Sequence, residues 1–201
     1  PRIMGVINTT PDSFSDGGTF FSAGRIDLAR VYDTASAMLA EGAVILDVGG
    51  ESTRPGAEPV AIAEELERVI QVVESLAELD SIISLDTRHA AVAAAGIAAG
   101  AHLINDVSAG ADPEMLNVVA DANVGYAIMH MLGTPHTMQN SPTYDAVVAD
   151  VGSYLRSCFT ACLAAGISAE RLMVDPGFGF GKTLAHNLAM LRNLETLRVA
   201  D

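Results

Sequence analysis

The chain has 201 residues, half of them hydrophobic, a length that predicts one soluble domain, spanning residues 1–201, with a sizeable core. Its formal net charge of -14 excludes general nucleic-acid binding, which needs a basic stripe, and leaves its few cations in glycine-rich loops, Arg54 and Lys182, as the ones to follow. No apolar run is long enough to span a membrane, and no basic segment with an apolar core and cleavage site opens the chain, so a cytoplasmic protein is expected.

Ile3-Met4-Gly5-Val6-Ile7 reads as a first strand ending in Asn8, followed by the loop TTPDSFSDGGTFFSAG. Helical periodicity runs over about 26–40, with Leu28, Val31, Ala35, Met38 and Leu39 on one side. Val44, Ile45, Leu46 and Val48 form a short β-branched run expected to be buried on both faces. Asp47 interrupts it, and a carboxylate there is costly unless a donor or ligand pairs with it. Gly49-Gly50 then lets the backbone turn before the polar cluster Glu51, Ser52, Thr53, Arg54 and the turn residues Pro55-Gly56. Such a loop reads either as a site for a charged small molecule or as a solvated turn.

A helix over about 61–79 leads to the strand Ile82-Ile83-Ser84-Leu85, ending in Asp86. An alanine-rich helix over 89–99 precedes His102-Leu103-Ile104, ending in Asn105-Asp106. A helix near 113–122 leads to Tyr126-Ala127-Ile128-Met129 and His130, and a long helix over 144–165 follows. Within it Cys158 and Cys162 share a face and read as small buried hydrophobes in a reducing compartment. Leu172-Met173-Val174 ends in Asp175, and a helix near 184–197 closes the order.

This alternation predicts parallel α/β architecture. The six strands end in Asn8, Asp47, Asp86, Asn105, His130 and Asp175, and in open sheets and closed barrels alike ligands sit at the carboxyl ends of the strands. Asp106 and Asp112 are expected to be helix caps. Asp86 could equally cap the next helix, and Asn105 could satisfy a buried carbonyl. No GxGxxG follows the first strand, which speaks against a dinucleotide site, and GFGFGKT lacks the phosphate-loop spacing, so Lys182 reads as structural or peripheral. His130 reads as a core histidine.

Four stretches are more specific: INTTPDSFSDGG at 7–18, DVGGESTRPG at 47–56, SLDT at 84–87 with INDVS at 104–108, and DPGFGFGKT at 175–183. In this order, with MHMLGTPHTMQ at 129–139, they resemble dihydropteroate synthase, the sulfonamide-inhibited enzyme of folate biosynthesis. The resemblance implies a (β/α)8 TIM barrel, of which six βα units are present, and a transferase joining dihydropterin-6-ylmethyl diphosphate to p-aminobenzoate with Mg²⁺. It implies that Asp86, Asn105 and Asp175 bind the pterin, with Val107 and Met129 lining its slot. Asn8 matches the metal-associated asparagine, and Thr53 the diphosphate-contacting threonine. Arg54 stands where a guanidinium meets the leaving group or holds the loop. Phe14, Pro55 and Phe180 match residues around the p-aminobenzoate pocket, although ordinary packing would account for either phenylalanine. Catalysis is expected of Asp86, Asp175 and Arg54.

A full barrel of this kind has eight strands and ~250 residues. The family's Lys-Ser-Arg and Arg-x-His motifs are not in these 201 residues, so the chain is expected to be part of a longer, homodimeric protein. Made alone it is expected to aggregate and to lack turnover. Two other readings stand beside this one: the pterin-binding domain of a corrinoid methyltransferase, a class without the TPDSFSDGG and GESTRPG loops, and a non-catalytic pterin-binding module.

Overall fold

The computed structural model describes residues 1–10, 20–22 and 25–199, which fall into two compact units. The first comprises Pro1–Ser52 and Pro59–Asn105. The second comprises Thr53–Glu58 and the chain from Asp106 onward.

The first unit is built on parallel strands. β1 (Ile3–Asn8) pairs with β4 (Ala43–Gly49), β4 with β5 (Ile82–Asp86), and β5 with β6 (Leu103–Asp106). β4 lies between β1 and β5 and buries every residue except Val44. That fits its continuous apolar run. Helix α1 (Leu28–Ala40) starts where the Asp27 side chain accepts from Arg30 N. Helix α2 (Ile62–Leu76) buries Glu65, Val69, Val72, Val73 and Leu76, one stripe at helical spacing. Helix α3 (Ala90–Ala98) packs beside α2. A short antiparallel pair, β2 (Phe21–Ser22) against β3 (Arg25–Ile26), stands largely where the sequence reads as loop. Strands that short carry too few residues to show an alternating pattern.

In the second unit β7 (Gly125–Met129) pairs in parallel with β8 (Leu172–Asp175). The unit's helices are α4 (Met115–Ala122), α5 (Val147–Ala164), which packs on both strands, and α6 (Leu184–Arg192), which packs on α5 and is followed by a 3₁₀ turn at Leu194–Leu197. Val151 and Leu155 of α5 form a core with Met190 and Leu197. Thr183 and His186 make a capping box at the start of α6. Cys162 is buried and Cys158 half-buried, both free thiols.

Three expectations need correction. β4 does not end at Asp47: its ladder to β1 continues through Ile7↔Val48 and Asn8↔Gly49, which sets Asp47 two residues deeper. β7 ends at Met129, and His130 follows as a residue whose N–H bonds Asp175 O. Asp106 caps no helix, because α4 begins only at Met115 and its N-cap position is Glu114. Among the described residues no helix is long and apolar enough to cross a membrane.

Candidate active site

In the first unit the strand register assembles a polar row. Asn8 stands opposite Gly49, Gly49 opposite Asp86, and Asp86 opposite Asn105, all at the carboxyl ends of their strands. Neighbours in register send their side chains to the same face. Gly49 interrupts the row with a gap: a Cβ placed there would lie 3.5 Å from Asp86 Oδ2 and 3.8 Å from Asn8 Oδ1. Both Thr9 N and Thr9 Oγ1 donate to Gly49 O, at 2.8 and 3.0 Å, holding that backbone in place.

Below the row sits Asp47, only 5% exposed. Asn105 Nδ2 donates to its Oδ2 at 3.2 Å, which orients the amide and leaves the Asn105 oxygen as an acceptor. Burial raises the Asp47 carboxyl above its ordinary range, against the pull of Ser84 and Asn105. Asp47 Oδ1 and Ser84 Oγ are buried without a hydrogen bond of ordinary geometry.

A second cluster holds the root of the GESTRPG loop. Arg88 donates to both Glu51 oxygens, Nε to Oε2 at 2.7 Å and Nη2 to Oε1 at 2.9 Å, and Val60 N adds a bond to Oε1 at 3.0 Å. Burial pushes Glu51 up, but the Arg88 and Val60 bonds outweigh it and hold the carboxyl below its usual value. Beside it His89 Nδ1 meets Glu65 Oε2 at 2.7 Å, and Arg68 Nη1 donates to Gly50 O at 2.7 Å. Glu51, Glu65 and His89 lie close enough to one another to hold a metal. Arg88, however, occupies both oxygens of Glu51 and already supplies the positive charge. This is an ion-pair network that fixes a loop. Of its members the sequence singles out only Glu51, yet Glu65 stands on the apolar stripe of α2, fully buried, and a glutamate at a core position of a helical period is a signal that was available.

The second unit carries the remaining candidates. Val107 and Met129 are buried, and Asp175 stands in register with Met129. Asp175 Oδ1 accepts from Gly177 N at 2.7 Å. Phe180 is half-buried, its N–H bonded to Gly177 O at 3.1 Å. Thr53 and Arg54 are half-buried and Pro55 exposed, in a loop where Ala57 N bonds Arg54 O and Gly56 N bonds Pro135 O. Phe14 lies outside the described residues.

Asp106, which the sequence assigns to a cap, instead organises the turn after β6. Its Oδ1 accepts from Ser108 N (2.7 Å) and Ser108 Oγ (2.6 Å), its Oδ2 from Gly110 N (2.8 Å) and Tyr126 OH (2.7 Å). Burial and the neighbouring Asp106 charge push the Tyr126 hydroxyl far up, so it stays a donor. Lys182 is structural, as the motif spacing implies, but it is far from peripheral. It is 3% exposed, and its Nζ meets His130 Nδ1 at 2.9 Å, His130 O at 3.1 Å and Phe180 O at 2.9 Å. Burial lowers Lys182 to about 8, and burial with the Lys182 charge lowers His130 to about 4. Near neutral pH the lysine is therefore the donor and a neutral His130 the acceptor.

The family model described as pterin binding enzyme matches residues 4–201. The chain is 47% identical over 195 residues to the dihydropteroate synthase of Escherichia coli (strain K12), covering 96% of this chain and 67% of that protein. It is 46% identical over 201 residues to that of Neisseria meningitidis serogroup B, covering 98% of this chain and 69% of that one. A crystal structure of the Yersinia pestis dihydropteroate synthase with a sulfonamide drug complex superposes with a TM-score of 0.92 at 46% identity, over 98% of this chain and 70% of the other. The Burkholderia cenocepacia dihydropteroate synthase complexed with 7,8-dihydropteroate gives 0.83 at 46%, over 98% and 66%. The chain thus spans about two thirds of the length of these relatives. Its fold class is that of these structures, a (β/α)8 barrel, of which six parallel strands with their helices are present here.

Proposed function

The chain belongs to the pterin-binding enzyme family, among the dihydropteroate synthases, and we propose that its residues bind (7,8-dihydropterin-6-yl)methyl diphosphate and p-aminobenzoate and join them with release of pyrophosphate. The observation that carries the reading is the in-register row of Asn8, Asp86 and Asn105 opened by Gly49. An aminopyrimidinone edge presents N–H donors and a carbonyl acceptor together. Asp86 and Asp175 accept from those donors, and Asn105 both donates and accepts. Val107 and Met129 give the ring its apolar walls.

Thr53 and Arg54 take the diphosphate. As the C–O bond to the methylene carbon breaks, its electron pair leaves with the diphosphate, and the Arg54 charge favours that departure. The carboxylates of Asp86 and Asp175 stabilise the electron-poor pterin-methyl cation. The arylamine, held beside Pro55 and Phe180, gives its nitrogen lone pair to the methylene carbon, forms the C–N bond and loses a proton to water. No residue need become a covalent nucleophile. Asn8 Oδ1 and Asp86 Oδ2 flank one gap and are hard oxygen donors of the kind Mg²⁺ takes. They would hold it, and it would neutralise diphosphate charge when bound.

The test is to incubate the intact protein with both substrates and follow 7,8-dihydropteroate and pyrophosphate together. Equimolar formation of the two supports the reading. Binding of the pterin without turnover points to a non-catalytic module, and methyl transfer from a methylated folate to the corrinoid class.

A further inference from the structure

The loop of residues 176–183 contains three glycines with positive φ, Gly177 (67°), Gly179 (84°) and Gly181 (66°). Left to itself such a segment has more backbone freedom than one without glycine. It lies directly on the chain after β7: a Cβ at Gly177 would fall 2.1 Å from His130 O, and one at Gly181 2.7 Å from Leu132 Cβ. Its carbonyls are tied one by one. Gly179 O accepts from Gln139 Nε2, Gly181 O from Tyr144 OH at 2.8 Å, and Phe180 O from Lys182 Nζ. Gly179 N in turn donates to Asn187 Oδ1 at 3.0 Å. Of these tethers only the one from Lys182 is both charged and buried.

We propose that Lys182 is a positioning residue for the arylamine, its ammonium clamping the Phe180 carbonyl to His130 and thereby fixing where the Phe180 ring stands. An ammonium has three N–H donors, and here each has one acceptor: His130 Nδ1, His130 O and Phe180 O. Two acceptors lie on the chain after β7 and the third on the loop, so the cation bridges the two segments with no donor left for a ligand. Hydrogen bonds from a charged donor are the stronger kind, and they hold a single geometry in a buried setting. The His130 ring is kept in place by edge contact with Tyr154, at 4.9 Å between centroids, and by Tyr144 at 6.0 Å. The proposal rests on Phe180 lining the arylamine pocket, as set out under the proposed function.

The experiment measures KM for each substrate and kcat in the intact enzyme. Lys182→Met keeps the stem and removes the donors. It is expected to raise the arylamine KM at least tenfold while the pterin diphosphate KM stays within twofold. His130→Asn keeps an acceptor near the Nδ1 position and is expected to stay within threefold of wild type. His130→Leu removes one of the three acceptors and should raise the arylamine KM by less than Lys182→Met does, and the double variant should be no worse than Lys182→Met alone, because both act on one clamp. Equal rises for the two substrates, or an arylamine KM within twofold of wild type beside a lowered melting temperature, would overturn the proposal. Lys182→Gln, read by the same split, serves if Lys182→Met does not fold. Phe180→Ala separates the two levels: an unchanged arylamine KM there overturns the ring's assignment and the proposal with it. A raised KM there beside an unchanged one in Lys182→Met or Lys182→Gln overturns the proposal alone.

Discussion

Asp106→Asn changes one oxygen to NH₂ in a fully buried side chain, and the surrounding geometry sets the outcome. The native carboxylate accepts four hydrogen bonds, and one on each side comes from a backbone N–H: Ser108 N on Oδ1 and Gly110 N on Oδ2. The Ser108 and Tyr126 hydroxyls can rotate to accept from an amide, but the two backbone donors cannot. Whichever way the substituted amide is turned, its NH₂ faces one backbone N–H. An unsatisfied buried donor costs ~1–3 kcal/mol, and the lost charge assistance on the remaining bonds adds about 1 kcal/mol. The expected destabilisation is therefore ~2–4 kcal/mol, roughly a 5–15 °C fall in Tm for a chain of this size. Tyr126→Phe should cost less, ~1–2 kcal/mol, because the carboxylate keeps its three other donors. Urea and thermal unfolding of the intact protein, with a double-mutant cycle of the two sites, measures both. An Asp106→Asn variant within about 0.5 kcal/mol of wild type, a change typical of surface positions, would refute the argument that two opposed backbone N–H groups require a carboxylate.

Glu51 contributes stability above its unfolded value near 4.5 and loses it as pH falls through the lower folded value. Stability of the wild type should thus fall more steeply than that of Arg88→Met as pH drops below about 4.5, in acid titrations of chemical unfolding. Gly177→Ala should not yield a native fold, since its Cβ would fall 2.1 Å from a backbone oxygen at a φ of 67°; a cooperative melt within a few degrees of wild type would show that the loop can shift. Asp86→Ala and Asp175→Ala should each weaken pterin binding at least tenfold by calorimetry, each removing charge-assisted hydrogen bonds of ~1.5–3 kcal/mol, and unchanged affinity in both would sink the pocket assignment. Asn8→Ala should weaken the diphosphate substrate far more than the bare pterin, whereas equal losses would reduce Asn8 to a shaper of the strand end.

Most of the strand order was legible because each strand is a short apolar run closed by a polar residue, and the register of Asn8, Asp86 and Asn105 follows from where those runs stop. Where a strand continues past its polar residue, the pattern misleads. Val48 and Gly49 extend β4, and nothing in D-V-G-G distinguishes two more ladder pairs from the start of a turn. Asp106 was misread for a related reason. Aspartate before V-S-x-G can cap a helix or fold its own turn, and the deciding partner, Tyr126 OH, lies twenty residues on. Likewise, composition placed Lys182 in its loop but could not reveal that all three of its donors turn inward.

The loop-holding cations, half-buried Arg68 and Arg88 and buried Lys182, share a logic that runs against the obvious reading of a glycine-rich loop. In a protein of net charge -14 for which we propose a diphosphate substrate, Arg and Lys beside glycines look like anion binders. Arg88 instead grips Glu51 at the root of the GESTRPG loop, Arg68 holds Gly50 O one residue before it, and Lys182 holds Phe180 O in the GFGFGKT loop. A loop that must approach its ligand closely needs glycine for access, and glycine costs order. A charged donor placed at the root restores that order without occupying the ligand face, since its hydrogen bonds are strong and directional. The same arrangement explains why these cations lie beside the loops' glycines and not at their tips. A guanidinium or ammonium aimed at the diphosphate has to stay hydrated until substrate arrives. One held at the root is paired already, with Gly50 O for Arg68, Glu51 for Arg88 and Phe180 O for Lys182, and for buried Lys182 an unpaired charge would not be tolerated.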